Sequence, residues 1–540
     1  MPDSPANPKP QDPPPPQIVE VTDPVYGKKR PDMSWRDHLV MLLTSGAEVE
    51  HALMVQYLYA AYSINGDQPT EERRALVEGW RASILSVARE EMGHLLTVQN
   101  LLVLLGAPIS FDREMMPWDH EFYPFPFSLD PLSLETLQCF IYAEMPRLAQ
   151  IEQGKTYAET PRLLAMAPGK RRDKAAPSSI NPQQEWECVQ EVKAALTKRF
   201  GADKISADLH QVGELYNQII DLISDPQRIP DSAFNEASYD MQADWDDWGR
   251  GYKPPPRAVT PDGDVDKSAG PREREASPDF PSSMAHRHAH VQVARAATRA
   301  DAVKVLRALS AQGEAPHLKQ DDTGEPSHFE RFVQVYEEYK ALQKSDASWK
   351  ATYEVPSNPT TRDDFARLNP GKTTYIPANL ESAAAAHLFA QLFNQRYRLL
   401  LNYLAHSFQL GRSQSLRQPG RRGMMMHRAF GEMYNLKTIA GLLVRLSLHD
   451  PKNPKAHAAP PFELPYTLEL PQAETDIWRQ HHDLLAASQR TCSEVFRLAK
   501  VSGSFSKEVT DIGGDVYLRT LMKLDEDAQH WIGAILAGRN

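Results

Sequence analysis

The chain reads as all-α, a helical bundle followed by a second helical region. Three observations carry that reading. Apolar residues recur at three- and four-residue spacing along most of its length, the period of a helix with one buried face. No alternating apolar/polar run of strand length has comparable weight. And the pattern Glu-x-x-His occurs twice on such stripes, at Glu91/His94 and Glu325/His328. Residues three apart share a helix face, so each pair points inward together.

The elements follow in order. Residues 1–33 include Pro13-Pro14-Pro15-Pro16 and few apolar residues, and read as an extended or disordered arm able to lie on a second subunit. Ser34, with Asp37 three residues on, marks a helix start. Leu39, Leu42, Leu43, Gly46, Leu53, Met54, Tyr57 and Leu58 continue its stripe. Glu50 falls on that stripe, while Glu48 lies about 200° round the helix and faces outward. The second helix, 71–105, carries Glu91 and His94 among Ile84, Val87, Ala88, Leu95, Val98 and Leu101, and stops at Gly106 before Pro108. Residues 107–131, rich in proline and aromatics, suit a cover over a core or a pocket mouth. A third helix starts near Ser133 with Leu134, Leu137, Ile141, Met145 and Leu148 inward; Glu144 is on the same stripe, and Pro146 should kink the helix just beyond it.

Residues 153–200 and 225–292 read as surface insertions, flanking a helix at 203–224. A short helix is expected at 295–311. The second Glu-x-x-His then opens a helix in which Pro326 is tolerated only in the first turn. The bundle thus occupies 34–345, a linker 346–379, and a C-terminal helical domain 380–540. That domain should hold one long helix through Leu388, Leu392, Tyr397, Leu400 and Leu404, another at 424–448, a Pro-rich segment at 451–471, and two or three more helices.

Composition narrows the class. A 540-residue chain exceeds one ordinary core, and 41% hydrophobic residues suffice for packing. The net charge of −11 leaves no basic excess to neutralise phosphates, so a nucleic-acid partner is not expected. Cys139, Cys188 and Cys492 form no CxxC pair and no disulfide framework, which fits a reducing cytoplasm. No apolar run approaches the roughly 20 residues that cross a bilayer.

The inward polar residues carry the chemistry. Glu50, Glu91 with His94, Glu144, and Glu325 with His328 give four carboxylates and two imidazoles on four helices. A lone inward Glu or His is commonly satisfied by a hydrogen bond. Six of them on apolar stripes need compensating cations, since each unpaired buried carboxylate costs several kcal/mol. This is the ligand set of di-iron and di-manganese carboxylate bundles, whose carboxylates bridge two ions while open positions remain for O₂ or substrate. Glu214, off the stripe of its helix, is the substitute should Glu144 fail, or a group that supports the ligands. Tyr57, Tyr142 and Tyr336 lie near the ligands by helical register and are candidates for redox or proton donation.

The runs Glu50-His51-Ala52-Leu53 with Tyr57-Leu58-Tyr59-Ala60, Glu91-Met92-Gly93-His94 with Asn100-Leu101-Leu102, Val212-Gly213-Glu214-Leu215-Tyr216, Gln312-Gly313-Glu314 and His328-Phe329-Glu330-Arg331-Phe332 resemble one family. It is the ferritin-like domain of the violacein- and rebeccamycin-type iminopyruvate (iminophenyl-pyruvate) dimer synthases and their stand-alone bacterial relatives. Ala459-Pro460-Pro461-Phe462-Glu463-Leu464 is similar to a loop of the same proteins. The resemblance spans roughly residues 35–540 and is densest in 35–345. It implies a ferritin-like bundle and oxidative coupling of an amino-acid-derived imine in natural-product biosynthesis. The chain departs from the pathway synthases in being much shorter.

The expectation is a cytoplasmic non-haem oxidoreductase with two iron ions (or Fe/Mn), acting on a small, amino-acid-derived molecule with O₂ or peroxide. The extended arm suggests a homodimer, and neither nucleic acid nor membrane is expected as a partner. The alternatives are an iminopyruvate-dimer-synthase-like condensing enzyme and a non-enzymatic metal-binding protein. Three further features have plainer readings. His286-x-His288-x-His290 reads as a surface cluster, and Asp527-x-x-His530 as a cap or ion pair. Arg412, Arg417, Arg421, Arg422 and Arg428 read as a solvated loop that could hold a substrate carboxylate.

Overall fold

The computed structural model describes residues 32–119, 125–146, 182–205, 212–243, 291, 293–314, 326–379, 384–410, 421–464 and 468–538. They are helical with almost no sheet. Helix α1 (Trp35–Ser63) begins at the predicted cap, where Ser34 and Asp37 bond each other's backbone N–H groups. Helix α2 (Glu71–Leu104) ends before Gly106, whose φ of +64° favours a residue without a side chain. These two long helices pack against each other along their length.

The other half of the bundle is built from shorter pieces. Helix α3 (Leu134–Glu144) does not kink at Pro146 but ends at Glu144, with Met145 already extended. The restriction that proline places on its preceding residue has stopped the helix. Helix α4 (Pro182–Phe200) lies inside the segment expected to be a surface insertion. Cys188, Val189, Val192 and Leu196 are buried on it, and it packs on α3, so a helical stripe in that stretch was overlooked. The helix expected at 203–224 is described as one turn at Ala202–Ile205 and as α5 (Val212–Ser224). Helix α6 (Arg299–Glu314) comes next. Helix α7 (His328–Ser345) starts at a capping box between Ser327 and Glu330, so Pro326 stands before the cap rather than in the first turn.

The short helices pair off. α3 packs with α7, and α5 with α6. The rings of Phe140 on α3 and Phe332 on α7 meet Tyr57 of α1 at centroid distances of 4.7 and 4.9 Å. At the other end, Leu215 of α5 lies against Gly46 of α1. α1 and α2 therefore run the full length of the bundle, while two half-length pairs complete it and meet at its middle.

Residues 346–379 carry two short parallel strands, Pro359–Thr360 and Thr374–Tyr375. The C-terminal half comprises α8 (Ala384–Gln409), α9 (Arg421–Leu443), α10 (Glu474–Val501), α11 (Gly503–Asp511) and α12 (Gly514–Leu536). Buried apolar residues form one continuous cluster through both halves. Polar ties lock the halves together. Arg422 donates to the carbonyls of Met241 and Gln242, both at 2.9 Å, and Arg113 donates to the carbonyl of Phe462. Tyr397 of α8 hydrogen-bonds His51 of α1. No described helix is long and apolar enough to cross a membrane.

Candidate metal centre

The four half-length helices bring their inner ends to one level of the bundle, and the polar residues gather there. α1 supplies Glu50, α2 supplies Glu91 and His94, the last residue of α3 is Glu144, and the first of α7 is His328. All five are at most 3% exposed.

Glu91 is the hub. Its Oε2 lies 3.1 Å from His94 Nδ1 and its Oε1 lies 2.6 Å from His328 Nδ1. Glu50 Oε2 stands 3.7 Å from His94 Nδ1, and Glu144 Oε2 stands 3.6 Å from His328 Nδ1. Two overlapping triads result, Glu50/Glu91/His94 and Glu91/Glu144/His328, each with its donor atoms within 4.8 Å of one another. Both imidazoles turn the same nitrogen, Nδ1, toward the shared carboxylate. Glu50 Oε2 is buried and makes no hydrogen bond, while Glu91 Oε1 and His328 Nδ1, equally buried, face each other as an ion pair without good hydrogen-bond geometry. Orphaned buried polar atoms are rare and costly. These atoms, converging from three helices with carboxylate and imidazole chemistry, fit a divalent-metal site.

The surroundings hold these groups in place. Tyr57 donates to Glu144 Oε1 at 2.5 Å, and Tyr216 donates to the Glu50 carboxylate. His94 Nε2 donates to Gln312 Oε1 at 2.9 Å, and His328 Nε2 donates to Glu90 Oε2 at 2.9 Å. Glu90 is braced in turn by Arg331, 2.8 Å away. Gly313 permits a close pass, since a Cβ there would lie 3.2 Å from Glu144 Oε2.

The charges are strongly coupled. Burial, and next the charge of Glu91, push Glu50 up to about 8. Burial opposes ionisation of Glu91, but the His328 and His94 imidazoliums outweigh it and hold that carboxyl well below the usual range. Burial likewise disfavours a charged His94, yet Glu91 and Glu50 raise it to about 10. His328 is raised well above an ordinary histidine by Glu91, Glu144 and Glu90, against its burial. Against burial, Arg331 and His328 hold Glu90 down to about 2. Protons on the two imidazoles thus offset the carboxylates, and a divalent ion could take over that charge.

Four predicted ligands on the first three helices, Glu50, Glu91, His94 and Glu144, meet here together with His328. Glu325 lies outside the described residues, and α7 begins at His328. Glu214 is on α5, but its side chain is outside the described residues. Of the three tyrosines, Tyr57 bonds a ligand. Tyr142 instead donates to the carbonyl of Ile205 at 3.3 Å, and Tyr336 donates to Glu191 at 2.8 Å. Tyr336 is eight residues beyond His328, two turns along α7 and away from the centre. Sequence reasoning missed Tyr216, Glu90, Gln312 and Arg331. Three of them stand inside the runs quoted for the family resemblance, and Glu90 adjoins Glu91.

The other sequence candidates do not build a second site among the described residues. His286, His288, His290, Arg412 and Arg417 lie outside them. Arg421 pairs with Glu474 at 2.8 Å, Arg422 is spent on backbone carbonyls, and Arg428 lies over the Trp531 ring at 4.6 Å, so these arginines are not gathered for a carboxylate. Asp527 and His530 are exposed on α12.

A family model described as Ferritin-like matches residues 43–337. The dichlorochromopyrrolate synthase of Lentzea aerocolonigenes is 26% identical over 525 aligned residues, covering 88% of this chain and 41% of that protein. The 2-imino-3-(indol-3-yl)propanoate dimerase of Chromobacterium violaceum is 34% identical over 131 residues, 19% of this chain and 13% of that protein. The chain thus spans about two fifths of the length of the first of these relatives. No solved structure matches.

Proposed function

The chain belongs to the ferritin-like family, and from that premise we propose that it is a non-haem di-metal oxidoreductase, with iron or iron and manganese, acting on a small amino-acid-derived substrate in secondary metabolism. One observation carries the reading: buried carboxylates and imidazoles from four helices bring their ligand atoms within 4.8 Å of one another in two triads that share Glu91. Glu50 and His94 would hold one ion, Glu144 and His328 the other, with Glu91 between them. Bound there, the metals supply activation of O₂ or peroxide beside an organic substrate.

The chain's own residues set the conditions. Tyr57 and Tyr216 each donate a hydrogen bond to the outer oxygen of a carboxylate and so fix which oxygen faces inward. Their hydroxyls are also the groups nearest the ligands that could give up a proton. Phe140 and Phe332, packed on the Tyr57 ring, keep water from that side of the centre. Gln312 and Glu90 fix the two imidazoles so that Nδ1 points inward.

A second reading is coupling of two imines without net redox change at the metals. The two relatives, a synthase and a dimerase by name, favour it, and the first of them aligns through both halves of this chain. The test is metal content and oxygen uptake. Two transition-metal ions per chain, lost in His94→Ala/His328→Ala, with oxygen consumed on anaerobic Fe(II) loading and exposure to air, support the oxidoreductase. Imine turnover that survives exhaustive chelation would replace it with the condensing reading.

A further inference from the structure

The two halves of the centre differ in one respect. On the carboxylate side they match: Glu50 and Glu144 each accept one tyrosine hydroxyl, from Tyr216 and Tyr57. On the imidazole side they do not. The outer nitrogen of His94 donates to the neutral amide oxygen of Gln312 at 2.9 Å. The outer nitrogen of His328 donates, also at 2.9 Å, to the carboxylate of Glu90. Glu90 is 1% exposed, and its other oxygen takes Arg331 at 2.8 Å and Ser86 at 3.2 Å. It is therefore fixed with one oxygen committed to His328. The Gln312 amide nitrogen stands 3.4 Å from that same oxygen, so the two outer groups are neighbours in one network.

A carboxylate on the far N–H of a ligating imidazole makes the near nitrogen a stronger donor than a neutral amide does, and such outer partners typically change metal affinity about 10- to 100-fold. Arg331 bonds the Glu90 oxygen that His328 does not use, so the ring still faces a carboxylate oxygen rather than a neutral amide.

Building on the two-metal reading above, we propose that the two metal positions are inequivalent: the Glu144/His328 position binds its ion more tightly and fills first, Glu90 being the positioning residue that makes it so. The Glu50/His94 position fills second and exchanges faster.

The 540-residue chain, stripped of metal and titrated with Co(II) alone, tests this by visible absorption and calorimetry. The wild type should take up two ions in two resolved steps whose affinities differ about tenfold or more. His94→Ala should abolish the weaker step and keep the tighter. Glu90→Gln, which preserves shape and an acceptor oxygen, should weaken the tight step about 10- to 100-fold and leave the other within a few-fold, so that the steps merge. The exchange Glu90→Gln/Gln312→Glu keeps one carboxylate and one amide in contact, and should hand the tighter step to the His94 position. It serves if the single variant folds poorly, with circular dichroism checking both. Two ions bound in a single step that Glu90→Gln leaves unmoved, or loss of the tight step in His94→Ala, would overturn the inequivalence while leaving the two-metal reading intact. Failure of the wild type to bind Co(II) at all would overturn both.

Discussion

Both halves of the chain bury carboxylates at mid-helix, and they balance them differently. In the C-terminal bundle Arg396 is 1% exposed and faces Glu432 Oε1 at 3.1 Å, Asp525, and Ser488 at 2.8 Å. Ser488 bonds Asp525 at 3.0 Å, and Asn435 bonds Glu432 Oε2 at 3.1 Å. The cation is part of the chain, and both acids have partners. In the N-terminal bundle Glu50 Oε2 is left without a hydrogen bond, and Glu91 Oε1 has only the titratable His328 Nδ1 against it. Helix bundles of similar build can thus carry their own cation or be arranged to receive one. The state of the inner oxygens, more than the presence of buried acids, separates the two cases.

The largest expected effect breaks the self-contained half. Arg396→Met leaves Glu432 and Asp525 buried without their cation, and should cost about 3–5 kcal/mol in denaturant unfolding, with no rescue by added metal. A loss of under about 1 kcal/mol would mean that the cluster is not held by the arginine.

Next, the other half should answer to metal. Divalent ion at a hundred- to a thousand-fold above its dissociation constant should stabilise the wild type by about 3–4 kcal/mol. His94→Ala/His328→Ala should show no such gain in a thermal scan, and an equal gain in both would place the metal elsewhere.

A pH series sharpens the comparison. His94 is raised from 6.5 to about 10 and Glu50 from 4.5 to about 8. A group raised in the folded state adds stability that is complete below its unfolded pKa and is lost as pH climbs through its folded one. The chelated protein should therefore lose stability from about pH 4.5 to 10, first through Glu50 (4.5 to about 8) and then through His94 (6.5 to about 10), whereas the metal-loaded protein should hold steadier through that range. For the same reason metal affinity should climb with pH, since bound ions displace these protons. A chelator-competition series that is flat from pH 6 to 8 would contradict this. The smallest effect is expected of Gly313→Ala. Its helix gains up to about 1 kcal/mol in propensity, but the new methyl crowds Glu144. Metal affinity should fall several-fold with the melting temperature nearly unchanged.

Periodicity made the two long helices and Glu50, Glu91, His94 and Glu144 legible, because a buried acid on an apolar stripe stands out whatever packs against it. The interruption of the bundle's other half was harder to see. Its signal was present, as Ser327 and Glu330 spell a capping box that starts a helix at His328 and leaves residue 325 before it. The inward stripe outweighed that cue. Helix α4 was hidden by the charged residues that share its stretch. Tyr216, Glu90 and Gln312 could not be assigned roles, because what they touch depends on how neighbouring helices are set against each other, and single-helix periodicity does not hold that information.

The ending of α3 at Glu144 and the start of α7 at His328 have an evolutionary consequence. Both helix ends lie at the level of the ligands, so the connections after residue 144 and before residue 328 join the bundle there. α1 and α2, which hold three of the five ligand residues, are untouched by anything spliced in at that level. Lineages could lengthen or recompose those two connections and so change what reaches the centre, while the frame that carries it is inherited intact. Substrate scope and metal geometry then become separable traits, free to diverge at different rates.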